Sequence, residues 1–220
     1  KKRYGLTILN YMVTSNHVHL LVVDDGERDV IPDSMQLVAG RTGQEFNQRK
    51  DRKGAYWEDR YHATAVESGE HLARCMAYID TNMVRAGVVS HPSEWSFCGY
   101  NEIQEPKRKN VLIENEVLQG LFGAGSYDQL KNSHRGWVEE YLGDGAKGRQ
   151  DQWTDSIAVG SISFVEAVKS LLGFRAKGRE AMEAGEGYQL REGAAHYKAL
   201  FSAEKCDIGP ENTYLWDVEI

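Results

Sequence analysis

Two runs rich in β-branched and apolar residues lie near the start of the sequence, at positions 6–13 and 17–23. A short polar segment, Thr14-Ser15-Asn16, separates them. Two such runs around a short polar turn predict an antiparallel β-hairpin. The first predicted elements are therefore a pair of strands.

Helical spacing of apolar residues follows the hairpin. Residues 34–53 predict a helix that ends before Gly54, and residues 61–66 predict a third strand. A second helix is predicted from Glu70 to Arg85, with acidic residues at its start, where the helix dipole favours them, and with Gly87 behind it. The apolar stripe of this helix consists of Leu72, Cys75, Met76, Ile79 and Met83.

The second half of the chain has a different pattern. Residues 104–110 include a proline and three basic residues, which is typical of a linker. Helical spacing then recurs in four segments joined by glycine-rich turns, at 113–122, 126–142, 163–172 and 190–201. The sequence therefore predicts an α+β domain at residues 1–103, followed by a mostly helical extension at residues 111–220.

Charge is distributed unevenly between the two halves. Residues 1–110 contain 15 Lys and Arg and 15 Asp and Glu, so the net charge of -7 lies entirely in the second half. If one half binds nucleic acid, we expect it to be the first. Three cysteines without C-x-x-C spacing argue against a disulfide framework or a thiolate zinc site, and no apolar run is long enough to span a membrane. We expect a cytoplasmic location.

Two pairs of residues carry candidate chemistry. His17 and His19 fall on one face of the second predicted strand, where two imidazoles can share a divalent metal ion. A solvated strand face with two polar residues would give the same pattern. Tyr78 and Asn82, four positions apart, share one face of the predicted helix. A tyrosine hydroxyl can attack a phosphodiester that a metal ion polarises, although ordinary packing of Tyr78 between helix and sheet is the alternative.

Four segments resemble, in the same order, motifs of the REP-associated tyrosine transposases, which are IS200-like members of the HUH class of single-strand DNA transposases. The segments are NHVHLLV at 16–22, GAYWEDRY at 54–61, YIDTNMVRAG at 78–87 and EWSFCGY at 94–100. They cover roughly residues 5–100, and four ordered matches are far more specific than any single motif.

The resemblance implies a ferredoxin-like (RRM-like) antiparallel sheet with packed helices. It also implies that His17, His19 and Asn82 hold Mg²⁺ or Mn²⁺ and that Tyr78 is the nucleophile. The implied reaction is the cleavage and rejoining of single-stranded, hairpin-forming DNA, such as repetitive extragenic palindromes, through a covalent 5′-phosphotyrosine. The alternative is a domesticated, non-catalytic nucleic-acid-binding protein that keeps the fold. The sequence favours neither a monomer nor a dimer.

The sequence departs from the family pattern in three places. Thr14-Ser15 replaces the usual Met-Pro before the asparagine, and Met83 replaces a proline. Neither position carries chemistry. The family normally has another strand and helix before the residue that corresponds to Lys1, so we expect either an incomplete sheet or an upstream segment that this sequence omits.

Basic residues near the predicted metal strand are candidates for DNA binding. Arg41, Arg49 and Arg60 belong to a local basic stretch next to aromatic residues, a combination that suits single-stranded DNA. A charged, solvated helix face is an equally good interpretation. Arg60 and Arg85 lie within motif segments of the resemblance, where a DNA contact and a structural ion pair are both consistent with their positions.

Overall fold

The computed structural model describes residues 3–106, 109, 111–145 and 148–193. The predicted hairpin is confirmed. Strands β1 (Ile8–Val13) and β2 (Val18–Val22) pair antiparallel, with Met12 opposite His19. β1 is almost entirely buried, whereas β2 is mostly half-buried. The hairpin therefore presents His19 on a partly open strand that is fixed by a buried neighbour.

Helix α1 (Val30–Arg49) confirms the predicted helix but begins and ends four residues earlier. The predicted third strand is shorter than expected, because only β3 (Ala65–Val66) is regular. The preceding residues use side chains to reach another part of the chain. The Oγ1 atom of Thr64, for example, donates a hydrogen bond to the Ser156 carbonyl at 2.6 Å.

The predicted helix from Glu70 to Arg85 is interrupted at Thr81. Helix α2 (Glu70–Asp80) is followed by the short helix α3 (Asn82–Arg85). The interruption coincides with side-chain hydrogen bonds to the backbone, because the Arg85 guanidinium donates to the Tyr78 carbonyl at 2.6 Å. Gly87, at φ +68°, ends α3 as predicted, in a backbone conformation that favours glycine.

Four more helices follow: α4 (Gly99–Gln104), α5 (Asn115–Leu121), α6 (Tyr127–Gly143) and α7 (Ile162–Leu172). Short 3-10 turns lie at Pro92–Glu94, Asp151–Trp153 and Gly173–Ala176. The helices predicted at 113–122, 126–142 and 163–172 are thus confirmed as α5, α6 and α7. None of the helices in the described ranges is both long and apolar enough to cross a bilayer.

The helix predicted at 190–201 is wrong where the structure describes it. Its first residues belong to β6 (Gly187–Glu192), and residues 194–201 lie outside the described residues. Leu190 is fully buried opposite Ala158 and Ala181 on the two neighbouring strands, so sheet pairing decides its conformation. Within its described residues, the extension therefore combines helices with strands.

The second sheet has four strands in the order β3-β4-β6-β5. It combines β3 with β4 (Ala158–Gly160), β6 and β5 (Arg179–Ala184). β3 and β4 pair parallel, and the other pairs are antiparallel. The α+β class is confirmed, and the ferredoxin-like arrangement of the family stays a prediction.

One large hydrophobic core joins both parts of the chain. It contains residues of β1 and α2 together with four residues from the second half of the chain. These four are at most 1% exposed: Ile113, Leu118, Leu130 and Val138. Residues beyond position 103 thus complete the core beneath the hairpin. The division into units at 1–103 and 111–220 stays a prediction, and the two share this core.

Candidate functional site

The two histidines of the hairpin lie side by side. The ring centroids of His17 and His19 are 4.9 Å apart, and the angle between the two ring planes is 80°. His17 is exposed, and its Nδ1 atom lies 2.8 Å from Oδ1 of Asn16 and 3.0 Å from Oγ1 of Thr14. Because an amide oxygen only accepts, Nδ1 carries the proton, and the lone pair on Nε2 is available to a ligand.

His19 faces the tyrosine helix. Its Nε2 atom lies 3.3 Å from Nδ2 of Asn82, which can donate a hydrogen bond to it. The pKa of His19 is lowered from its ordinary value of 6.5 to about 4. Burial is the largest cause, and the neighbouring side chains of His17 and Arg85 add to it. His19 is therefore neutral near pH 7, the state in which an imidazole can bind a metal ion.

Tyr78 lies next to His19. Their ring centroids are 6.4 Å apart, at an angle of 75°. Tyr78 is only 3% exposed. The guanidinium carbon of Arg85 lies 3.8 Å from the centroid of the Tyr78 ring, and the Trp153 ring lies 6.2 Å away. The predicted nucleophile thus sits in a tightly packed pocket beside the histidine pair.

Asn82 is the first residue of α3, immediately after the interruption at Thr81. It reaches His19 across a sequence separation of 63 residues. The structure therefore brings together all four residues that the sequence singled out as the chemical centre: His17, His19, Tyr78 and Asn82.

The predicted DNA-binding arginines divide into two groups. Arg41, Arg49 and Arg60 are exposed, and Arg49 forms an ion pair of 2.7 Å with Glu45 on the same helix. Arg85 is partly buried and donates hydrogen bonds to the Tyr78 carbonyl and to Oγ1 of Thr81, at 2.6 and 2.8 Å. Arg85 is therefore engaged inside the protein.

A buried polar network lies behind the tyrosine, and no pattern in the sequence predicted it. Asp80 accepts hydrogen bonds from Asn10 at 3.1 Å and from Nε2 of His134 at 2.7 Å. Nδ1 of His134 in turn lies 3.0 Å from Nε2 of Gln104. Asp80, Asn10 and His134 are all fully buried. Gly99 packs so closely on Asn10 that a side chain at this position would disrupt the network.

Sequence reasoning also missed Trp153 and Tyr141, which approach Tyr78 from the second half of the chain. Trp153 contacts the Tyr78 ring. Burial raises the pKa of Tyr141, and the nearby Arg85 opposes part of that rise. The polar residues at 10 and 80 within otherwise apolar elements were a signal of buried partners, but nothing in the sequence marked positions 141 and 153.

The residues at this site fit a divalent metal ion by their donor chemistry. Two adjacent imidazoles and an amide are suitable ligands for ions such as Mn²⁺. Within the described ranges, no three side chains of the types His, Cys, Asp and Glu cluster in a way that could hold a metal. Any ion at this site would therefore rely on the histidine pair, Asn82 and oxygen ligands from water or a substrate.

Comparison with known proteins agrees with this geometry. The family described as "Transposase IS200 like" matches residues 1–82, a range that includes the histidine pair, Tyr78 and Asn82. No curated protein and no solved structure gives a significant match. Residues 1–82 are thus similar to the IS200-like family of transposases.

Proposed function

We propose that this protein is a metal-dependent transposase that cleaves and rejoins single-stranded, hairpin-forming DNA through a covalent 5′-phosphotyrosine at Tyr78. One observation carries the proposal. Residues from the hairpin and from the helices α2 and α3 converge, with His19 3.3 Å from Asn82 and its ring 6.4 Å from that of Tyr78. The similarity of residues 1–82 to a transposase family makes DNA the expected substrate.

His17, His19 and Asn82 would hold the metal, which is Mg²⁺ or Mn²⁺. When bound, such an ion polarises the scissile phosphate and stabilises the charge that develops on it. Nε2 of each histidine would be the ligand atom. Asn82 would use its Oδ1 atom, which a half-turn of the amide brings to the position that Nδ2 now occupies beside His19.

In the cleavage step, the Tyr78 oxygen forms a bond to phosphorus and loses its proton. The bond between phosphorus and the 3′ oxygen breaks, and that oxygen leaves as a 3′-hydroxyl after taking up a proton. The phosphate remains attached to the downstream strand and to Tyr78. Because the ester energy is kept, attack by a 3′-hydroxyl reverses the step and rejoins DNA.

The substrate contacts and the cellular setting belong to the same proposal. The exposed residues Arg41, Arg49 and Arg60 would contact DNA phosphates, the sequence-independent part of DNA binding. The resemblance to REP-associated transposases favours palindromic hairpins as substrates. A bacterial cytoplasmic location accords with such a substrate.

A second candidate is a nucleic-acid-binding protein that keeps the fold without catalysis. The burial of Tyr78, at 3% exposure, favours it, because a phosphate must reach the tyrosine oxygen for attack. The four intact residues of the chemical centre favour the enzyme.

A denaturing gel separates the two candidates. A hairpin oligonucleotide labelled at its 3′ end should transfer its label to the wild-type protein in the presence of Mn²⁺, and one labelled at its 5′ end should release a shorter fragment instead. Tyr78→Phe should still bind the hairpin but form no adduct, because it lacks only the attacking oxygen. Tyr188→Phe, in the second sheet, is the matched control and should behave as wild type. Adduct formation by Tyr78→Phe would refute the nucleophile assignment.

A further inference from the structure

The ring of Tyr78 is held on three sides by side chains from three parts of the chain. His19 of β2 lies at its edge, at 6.4 Å and 75°. The guanidinium of Arg85 lies over the ring face, at 3.8 Å from the centroid. Trp153 packs at 6.2 Å with its ring plane tilted by 38°. These distances fall within the ranges in which cation-π and aromatic pairs attract each other.

Arg85 is itself fixed in place by the segment that carries Tyr78. Its Nη1 atom donates to the Tyr78 carbonyl and to Oγ1 of Thr81, at the point where α2 gives way to α3. One guanidinium thus grips both the backbone and the ring of Tyr78. The planar, forked head of an arginine can stack on a ring and donate in its own plane at the same time, which the ammonium group of a lysine cannot.

Trp153 is also fixed, and it comes from outside the matched family region. It ends the 3-10 turn Asp151–Trp153, and its Nε1 atom donates a hydrogen bond to Oε1 of Gln150 at 2.8 Å. The nearby strand β4 ties this turn to β3. The Trp153 ring therefore has one orientation against Tyr78.

We propose that Arg85 and Trp153 form a clamp that positions Tyr78 for attack, so that the catalytic unit extends beyond residues 1–82 to the turn at 151–153. The clamp acts through the tyrosine and touches no reacting atom. Arg85 is then a positioning residue rather than a DNA contact. The inference rests on the proposed function, because it assigns the clamp to the cleavage step.

Steady-state cleavage of a hairpin oligonucleotide tests the clamp in the full chain with Mn²⁺. The variants are Arg85→Ala, Arg85→Lys, Trp153→Ala and Trp153→Phe. Matched controls are Arg74→Ala, which removes a partly exposed arginine of α2 that pairs with Glu70, and Trp137→Phe, which changes a tryptophan packed on Phe122. Thermal unfolding of every variant accompanies the kinetics.

The two alanine variants should lower kcat by about tenfold to a hundredfold, because a misplaced reacting group loses rate without losing substrate affinity. KM for the hairpin should stay within about twofold, since neither side chain binds DNA. Trp153→Phe should recover most of the rate by keeping a ring, and Arg85→Lys should recover less because it keeps only the charge. Both controls should match wild type.

A second readout follows the clamp without relying on cleavage. Nitration of Tyr78 by tetranitromethane, mapped by mass spectrometry, should rise in Arg85→Ala and Trp153→Ala and stay low in the controls. A rise of KM alone in Arg85→Ala would identify a DNA contact and overturn the clamp, as would kcat and nitration equal to those of the controls. If the wild type itself forms no adduct, the proposed function fails and the clamp fails with it. An active wild type with insensitive variants refutes the clamp alone.

Discussion

The polar side chains of Asn10 in β1 and Asp80 in α2 are fully buried and hydrogen-bonded, whereas several charged pairs beside the four-stranded sheet lie at or near the surface. Asp80 and His134 are both fully buried, with 2.7 Å between their bonded atoms. Arg149 and Asp155 pair at 2.9 Å, but their side chains are 67% and 32% exposed. A buried polar group must keep its partner, while an exposed one can exchange its partner for water.

The hydrophobic cores of the two regions also differ in size. The hairpin and α2 belong to the large core, whereas the second sheet packs α7 over a small cluster of Ala158, Val165 and Leu190. The comparison shows that the region which contains His17, His19, Tyr78 and Asn82 also has the larger hydrophobic core and the fully buried ion pair. Residues next to the four-stranded sheet, such as Trp153, contact that region.

The largest effect should come from the histidine pair. His17→Ala and His19→Ala should each lower metal-dependent cleavage by about a thousandfold or more, since loss of the metal removes several kcal/mol of charge stabilisation. His71→Ala is the matched control, because His71 lies beside Glu67 and Gly187 in the four-stranded sheet region. Mn²⁺ binding measured by calorimetry should disappear in the first two variants and persist in the third. Unchanged binding in all three would end the metal hypothesis.

The contrast between buried and exposed pairs can be measured directly. His134→Ala should reduce the free energy of unfolding by about 3–5 kcal/mol, because it leaves the Asp80 carboxylate buried and short of a partner. Arg149→Ala should change it by less than about 1 kcal/mol, because the pair is solvent-exposed. Denaturant unfolding monitored by circular dichroism gives both values. Equal losses would show that the two regions do not differ in this respect.

Asn82 should have an intermediate effect, because an amide oxygen is a weak, neutral ligand. Asn82→Ala should need about tenfold more Mg²⁺ or Mn²⁺ for half-maximal cleavage. Asn82→Asp should bind the metal more tightly and cleave more slowly, because the added charge weakens the pull of the cation on the phosphate. Metal titrations of cleavage that superimpose for the wild type and both variants would remove Asn82 from the site. A loss of thermal stability alone would then assign it a structural role.

The last prediction concerns pH. Because the pKa of His19 is lowered from 6.5 to about 4 in the folded protein, the unfolded chain takes up the proton first on acidification. Without metal, the stability of wild type relative to His19→Gln should therefore be constant above pH 6.5 and fall progressively between pH 6.5 and 4. Chemical unfolding of both proteins across this range checks it. A difference that does not change with pH would mean that His19 is not desolvated.

The sequence predicted the chemical centre because its residues are tied to local patterns. The spacing of His17 and His19 on a strand, and of Tyr78 and Asn82 on a helix, fixes their directions before any tertiary contact forms. The interruption at Thr81 was not predicted, because it coincides with a hydrogen bond from the Arg85 side chain to the Tyr78 carbonyl. Asn82 nonetheless reaches His19, so one distorted turn did not change the face that it presents.

Contacts between residues far apart in the sequence could not be predicted, because no local pattern marks them. Asp80 gives no sign in the sequence that it faces His134, and Leu190 suits a helix as well as a strand until Ala158 lies beside it. Short strands such as β4, with three residues, carry too few positions for a period to be recognised. For these reasons, the helix predicted at 190–201 is wrong over the first residues of that range, which belong to β6.

The two-residue ladder between β3 and β4 has a consequence for the order in which the chain assembles. The Thr64–Ser156 hydrogen bond beside it joins positions 92 residues apart. At roughly 5–20 residues per second of synthesis, β3 waits about 5–20 s for its partner strand. The hairpin and α2 emerge from the ribosome long before Trp153 does. A nascent chain therefore exposes Tyr78 without its tryptophan neighbour for several seconds, and the pocket around Tyr78 is among the last parts of the described chain to close.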